Sequence, residues 1–441
     1  LRYRHRRLDA ARRAAHAAGY AGAMYPWQSG SDGREETQVL HLNPRSDRWL
    51  PDHSHLQRHV NAAIVYNIWQ YYQVTGDLEF LCFHGSEIII EIARFWTSLA
   101  TFNQELGRYE IVGVMGPDEY HDAYPDAQEP GLVNNAYTNL MAVWCLARAL
   151  DLIQLLPGAH CSRVRQKLRV RDEEIRAWDE ISRKMHLVFH DDGILSQFEG
   201  YADLEELDWE SYRRQHGPAL RLDRILEASG DTPNRYKASK QADVLMLFYL
   251  FSAEELGQLF ERLGYPFDRQ LIPKTVDYYL QRTANGSTLS EVVNSWVLAR
   301  SDRTRSWRLF TEALQSDFAD VQGGTTPEGI HLGAMAGTVD LIQRCYLGLE
   351  ARQEVLWLNP RLPTEIKRLR LRIRYRQASL CLDATREVLR VRVLHCPIEP
   401  TRIGFGDRVM ELVEGEEVNL NLVAPDAPAL PPTEAPPVAP R

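Results

Sequence analysis

Arg368-Leu-Arg-Leu-Arg-Ile-Arg-Tyr375 alternates charged and apolar residues. A period of two sends one set of side chains to each face of a strand, the signature of a half-buried sheet. The alternation recurs in Glu354-Val-Leu-Trp-Leu358, Leu389-Arg-Val-Arg-Val-Leu394 and Glu417-Val-Asn-Leu-Asn-Leu422. Residues 352–423 therefore read as a small antiparallel β domain. Upstream the period becomes helical. Segment 59–74 carries apolar residues at 60, 64, 68, 71 and 72, one face of a helix. Segments 8–18, 78–99, 137–155, 173–188, 238–251, 253–263, 273–281, 289–300, 306–316 and 330–347 continue the series. So many helices, joined by loops of varied length, fit a toroid of helical hairpins over residues 1–351 better than a short bundle. Residues 424–441 are rich in Pro and Ala and read as a disordered tail.

Bulk composition narrows the function. The chain has 441 residues and a net charge of −9, with a pI near 5.9, which argues against a nucleic-acid partner. The Arg-rich stretches 4–13 and 368–376 read as solvated faces. No apolar run reaches the roughly 18 residues of a membrane span, and no signal peptide is visible, so a cytoplasmic protein is expected. Cys82, Cys145, Cys161, Cys345, Cys381 and Cys396 show no Cys-x-x-Cys spacing, the pattern of reduced thiols without zinc. His53, His55 and His59 share a stretch with Asp52 and Ser54. They read as surface or hydroxyl-binding groups, not metal ligands. The chain opens on Leu1-Arg-Tyr-Arg without Met or helix cap and reads as a fragment of a longer protein.

The chemistry points to Gly113-Val-Met-Gly-Pro-Asp-Glu-Tyr-His121, followed by Asn134-Asn-Ala-Tyr-Thr-Asn139. Asp118 and Glu119 fall on a Gly/Pro-bounded turn ahead of a helix, a position from which a carboxylate can project into a cleft. The passage resembles the general-acid motif of glycoside hydrolase family 65, which contains maltose, trehalose and kojibiose phosphorylases and related hydrolases. Four further segments match in family order: Gly22-Ala-Met-Tyr-Pro-Trp-Gln-Ser with Gly33-Arg-Glu-Glu-Thr37, Lys240-Gln-Ala-Asp-Val-Leu, Gly286-Ser-Thr-Leu-Ser290 and Gly323-Gly-Thr-Thr-Pro-Glu-Gly-Ile-His331.

The resemblance implies an (α/α)6 barrel with a C-terminal β domain. It also implies an N-terminal β-sandwich and first barrel helices, which this chain lacks or begins after. It makes Glu119 the general acid of an inverting reaction, a role suited to a carboxyl whose pKa burial has raised. Trp27, Gln28, Glu35, Glu36, Lys240 and Gln241 are expected to hold sugar, with Asp118 beside them. The loop Ser287, Thr288 and Ser290 would cradle phosphate at a helix N-terminus. In phosphorylases a His is expected seven residues after the loop's first Ser, where this chain has Asn294, and Glu291 follows the loop directly. Asn carries no positive charge, and a carboxylate repels phosphate while it can activate water. Both departures favour hydrolysis of an α-linked glucose disaccharide such as trehalose, kojibiose or maltose, with Glu291 or Glu328 as base. Two alternatives stay open: a phosphorylase with inorganic phosphate as co-substrate, and a carbohydrate-binding fragment that has lost catalysis. No cofactor or metal is expected. The partner is a small disaccharide, and relatives are often dimers, so a homodimer is a further expectation.

Overall fold

The computed structural model describes residues 1–190, 192–217, 221–320, 326–396 and 400–422, and of Glu328 the backbone alone. The expected tail at 424–441 lies outside the described residues, as do Gly323, Gly324 and Thr325. Two compact units divide between Gln343 and Arg344.

The first unit is helical. Its main helices are α1 (Leu8–Ala17), α2 (Val60–Thr75), α3 (Ser86–Leu99), α4 (Ala136–Leu155), α5 (Asp172–Lys184), α6 (Asp243–Leu250), α7 (Ala253–Leu263), α8 (Thr288–Leu298), α9 (Arg303–Gln315) and α10 (Leu332–Asp340). They form two layers. Helices α2, α4, α6, α8 and α10 pack side by side in that order, while α3, α5, α7 and α9 back them. This alternation is the hairpin arrangement of an (α/α)6 barrel. The sequence of α4 fits an inner position: residues 136–147 are buried on every side, as expected of a helix enclosed by neighbours. The core centres on large side chains such as Trp96, Trp178, Phe95 and Ile88, all fully buried.

Polar side chains cap the starts of two inner helices. Asn135 caps α4 by accepting from Thr138 N–H at 2.9 Å. Ser287 caps α8. Such caps satisfy backbone donors that the first turn leaves open. The helix expected over 238–251 is shorter: Lys240 and Gln241 stay outside α6, where the Lys240 N–H donates to Asp118 at 2.6 Å and its carbonyl accepts from Ser290. The helix expected over 78–99 is interrupted by a π-turn at Leu81–Gly85.

The second unit contains two four-stranded sheets. In one, Arg368–Tyr375, Ala378–Thr385, Val388–His395 and Glu417–Asn421 are all antiparallel. In the other, Val355–Trp357 pairs in parallel with Thr401–Phe405, so the antiparallel-rich β domain expected here includes one parallel pair. A parallel pair needs a crossover connection, here supplied by the segment that carries Arg368–Tyr375, Ala378–Thr385 and Val388–His395.

Candidate active site

Asp118 organises the turn that carries Glu119. Its side chain is only 2% exposed. Oδ1 accepts from the backbone N–H of Lys240 at 2.6 Å and of Gln241 at 3.4 Å. Oδ2 lies 2.7 Å from His121 Nδ1 and accepts from Gln197 Nε2 at 3.2 Å. Both oxygens are occupied by protein donors, so the expected sugar-binding role of Asp118 is corrected to a scaffold role. The Asp118 N–H in turn donates to Asp243 Oδ1 at 2.6 Å. Glu119 then adopts φ +64°, a region that costs a non-glycine residue about 1–3 kcal/mol. That conformation turns its side chain away from Asp118, so the two adjacent carboxylates play different parts.

Glu119 is only part-buried. Its carboxylate is ion-paired with the Lys240 ammonium, and its side chain is about one-third exposed. It is therefore held beside a cation, not enclosed in the apolar pocket that the sequence reading required of it. Gln57 donates to Glu119 Oε1 at 3.4 Å, and the buried Gln57 Oε1 has no donor. An amide can turn its nitrogen to a carboxylate or its oxygen to a carboxylic acid, so Gln57 suits both states of a proton-transferring group. His59 is buried between Trp27 and Tyr137, with ring centroids 5.2 and 5.6 Å away. Burial pushes its pKa down to about 4, against the upward pull of Glu119. His59 is thus a neutral, buried ring, which departs from the surface half of the surface-or-hydroxyl-binding expectation. Arg221 pairs with Asp223 at 2.7 Å and lies within electrostatic reach of Glu119.

The expected phosphate loop is brought to the same place. Ser290 Oγ donates to the Lys240 carbonyl at 3.2 Å, which ties the loop to the segment whose ammonium meets Glu119. Ser287 caps α8, Thr288 begins it and is buried, and Asn294 donates to Asn285 Oδ1 at 2.8 Å. Asn294 braces the loop from behind. Glu291 faces the other way. Ser295, one turn further on, bonds Ser306 of α9, and residues four apart share a helix face. Glu291 feels Glu312 of α9, and burial raises its pKa to about 7. Its role as a base in the cleft is therefore corrected: it lies between two helices.

A histidine missed as a candidate by the sequence reading stands at the neighbouring helix start. Helix α10 packs on α8 through Gly333 against Leu289 and Gly337 against Val292. These pairs run in the same sense, so the helices are parallel and their N-termini lie together. His331 precedes α10, and its Nδ1 is 2.6 Å from Asp317 Oδ1, which fixes the ring. The imidazole sought at position 294 is thus supplied from a different helix start.

Other predicted residues are placed as follows. The Trp27 ring is half-buried against His59. Gln28 is exposed beside it, and its N–H is held by Thr37 Oγ1 at 3.2 Å and Glu35 at 3.3 Å. Glu36 is exposed against Gly30. Gln241 is buried with its amide on the Met246 sulfur, so the Lys240–Gln241 pair divides and only Lys240 reaches Glu119. Glu328 ends the short turn Thr326–Glu328, and its side chain lies outside the described residues.

Helical hairpins with a carboxylate, a lysine and an aromatic wall converging at the helix N-termini define a carbohydrate-active enzyme of the (α/α)6 class. The chain belongs to glycoside hydrolase family 65: residues 1–340 match its central catalytic domain and residues 349–412 its C-terminal domain. An uncharacterized glycosyl hydrolase of Mycobacterium tuberculosis is 56% identical over 382 residues, 87% of this chain and 29% of that protein. Trehalose 6-phosphate phosphorylase of Lactococcus lactis is 39% identical over 371 residues, 84% of this chain and 47% of the relative. A kojibiose phosphorylase of Caldanaerobacter subterraneus is 32% identical over 403 residues, 89% and 49% of the two chains. A solved structure from the human microbiome, provisionally assigned as a kojibiose phosphorylase, shares the fold with a TM-score of 0.75 at 22% identity, covering 95% of this chain and 52% of that one. The chain spans about half the length of these phosphorylases and under a third of the mycobacterial protein. Among the described residues no helix is long and apolar enough to cross a membrane.

Proposed function

We propose that the protein is a phosphorylase of an α-linked glucose disaccharide, of the kojibiose, trehalose or trehalose 6-phosphate type. Glu119 protonates the glycosidic oxygen while inorganic phosphate attacks the anomeric carbon from the opposite face. The products are β-glucose 1-phosphate and the released acceptor sugar. Trp27 offers a ring face to the sugar. Lys240 pairs with the carboxylate form of Glu119 and is free to bind a sugar hydroxyl or phosphate once that carboxyl carries a proton. The Ser287–Ser290 loop and the α8 N-terminus hold the anion, with His331 beside them.

One observation carries this reading: the loop is bonded to Lys240, whereas Glu291 turns toward α9. With that carboxylate gone from the cleft, the argument from repulsion of phosphate lapses, and His331 answers the argument from Asn294. The characterised relatives bearing phosphorylase names support the same choice. The test is to incubate the full-length protein with trehalose, trehalose 6-phosphate, kojibiose and maltose, each with and without inorganic phosphate, and to identify the products by NMR. Phosphate-dependent β-glucose 1-phosphate is the expected result. Free glucose formed equally well without phosphate rejects the proposal.

A further inference from the structure

The structure assigns a positioning role to Asp243 and Asn135: we propose that their side-chain hydrogen bond holds the turn bearing Glu119 against the turn bearing Lys240. The inference rests on the reading of Glu119 as the general acid. Asp243 is the first residue of α6 and is 1% exposed. Its Oδ1 accepts from the Asp118 N–H at 2.6 Å, and its Oδ2 accepts from Asn135 Nδ2 at 2.6 Å. Asn135 cannot turn its amide round, because its Oδ1 already accepts from the N–H and hydroxyl of Thr138, both at 2.9 Å.

The array closes on itself. Asp243 N–H donates to Gln197 Oε1 at 3.1 Å, and Gln197 Nε2 donates to Asp118 Oδ2 at 3.2 Å. Asp118 then grips the Lys240 N–H. Glu119 and Lys240 are therefore both tied to Asp118, and Asp118 is tied through Asp243 to the starts of α4 and α6. His121 completes the set, with Nδ1 at Asp118 and Nε2 2.9 Å from the Tyr236 carbonyl. Both of its ring nitrogens face acceptors, so the ring is held in place against Asp118.

Such an arrangement is costly for stability alone. Burial and the charge of Asp118 push the Asp243 carboxyl well above the usual carboxylate range, and an apolar pair would avoid that penalty. What the carboxylate adds is direction: it fixes a left-handed residue that would otherwise relax.

The experiment is an exchange of the two groups in the full-length protein. Asp243→Asn sets two amide nitrogens against each other, and Asn135→Asp sets two carboxylates together. The double exchange restores one donor and one acceptor, keeps an acceptor for the Thr138 cap, and loses only the weaker bond from Asn135 to the Gln197 carbonyl at 3.3 Å. Each single variant is expected to lower kcat about 100-fold with both KM values within about 3-fold, since a displacement near 1 Å costs that much. The double exchange is expected to recover at least about 10-fold. Crystal structures of the three variants give a reading independent of activity: Glu119 leaves Lys240 and its positive φ in the singles and returns in the double. An inert wild type rejects the proposed function, while the crystallographic arm still judges the clamp. Single variants that keep Glu119 in place overturn the inference, as does a double variant with Glu119 displaced. Should a single variant not fold, the double is compared directly with the wild type on the same position.

Discussion

Gly116 tests whether the turn bearing Glu119 tolerates movement. A Cβ built there would lie 2.0 Å from Asp243 Oδ2 and 2.6 Å from Asn135 Nδ2. Carbon and oxygen cannot approach much closer than about 3.4 Å without repulsion, so Gly116→Ala must open the gap by roughly 1.4 Å. Neither contact atom is the loose end of a flexible chain. They are bonded to each other at 2.6 Å, and Asp243 also holds the Asp118 N–H. The displacement therefore passes to Asp118 and on to Glu119. Misplacement of about 1 Å at a reacting group costs on the order of 100-fold, so kcat should fall by about that factor. Overpacking of this kind costs about 1–3 kcal/mol of stability, so chemical denaturation should show a folded protein with a lowered midpoint. Gly158→Ala, at a helix start with nothing within 4 Å of its new methyl, is the control. The assay is the initial rate of phosphate-dependent disaccharide cleavage with both substrates varied. A Gly116→Ala enzyme with kcat within about 3-fold of wild type would refute the claim that this turn is rigidly placed.

Three other perturbations separate the roles. Glu119→Gln should lower disaccharide cleavage by about 100- to 10,000-fold, but much less with 4-nitrophenyl α-glucoside, whose leaving group needs no proton; equal losses on both would remove Glu119 from the acid role. His331→Ala should raise the KM for phosphate at least about 10-fold and leave that for disaccharide unchanged, as steady-state kinetics with each substrate varied would reveal; a rise in the sugar KM alone would move His331 to the sugar side. Glu291→Gln should leave turnover within about 2-fold and alter stability instead. The folded pKa of Glu291, near 7, lies above its ordinary 4.5, so the native state binds more protons than the unfolded state between those values, and wild-type stability falls as pH rises through that window. Removing the charge should therefore stabilise the protein by about 2 kcal/mol at pH 8, allowing for partial exposure, and by little at pH 4.5; denaturation at the two pH values measures the difference.

The parts of the fold legible in the sequence are those with an uninterrupted period. Tyr137 to Leu155 is helical to within a residue of its observed start, and Arg368–Tyr375 is a strand at the expected residues. Ala378–Thr385 was not legible, because this central strand is largely buried on both faces and so lacks alternation. Lys240 and Gln241 were assigned to a helix for a related reason. Local pattern carries no record of long-range partners, and Asp118, more than a hundred residues earlier, and Ser290, fifty later, hold the two backbone groups of Lys240. The same blindness shaped the reading of Asp118. Its position beside Glu119 suggested substrate, whereas its partners His121, Gln197, Lys240 and Gln241 come from three separate places along the chain.

The choice between water and phosphate illustrates this most sharply. In the sequence, Asn294 and Glu291 are the nearest chemistry to the Ser287–Ser290 loop, and both speak against phosphate. Along a helix, however, nearness in sequence is not nearness in space: positions 290 and 294 share one face, while 291 and 295 share another. The structure sends the second face to α9 and lays α10 parallel to α8 through Gly333 and Gly337. Two glycines thus decide what stands beside the loop, because only a helix without side chains at those positions can approach closely enough to bring His331 alongside it. Either glycine replaced by a larger residue would push α10 outward, and Gly337 the more so, since a Cβ there would already meet Val292 at 2.7 Å. The proposed anion site is in this sense a property of a helix interface, which no motif of consecutive residues can display.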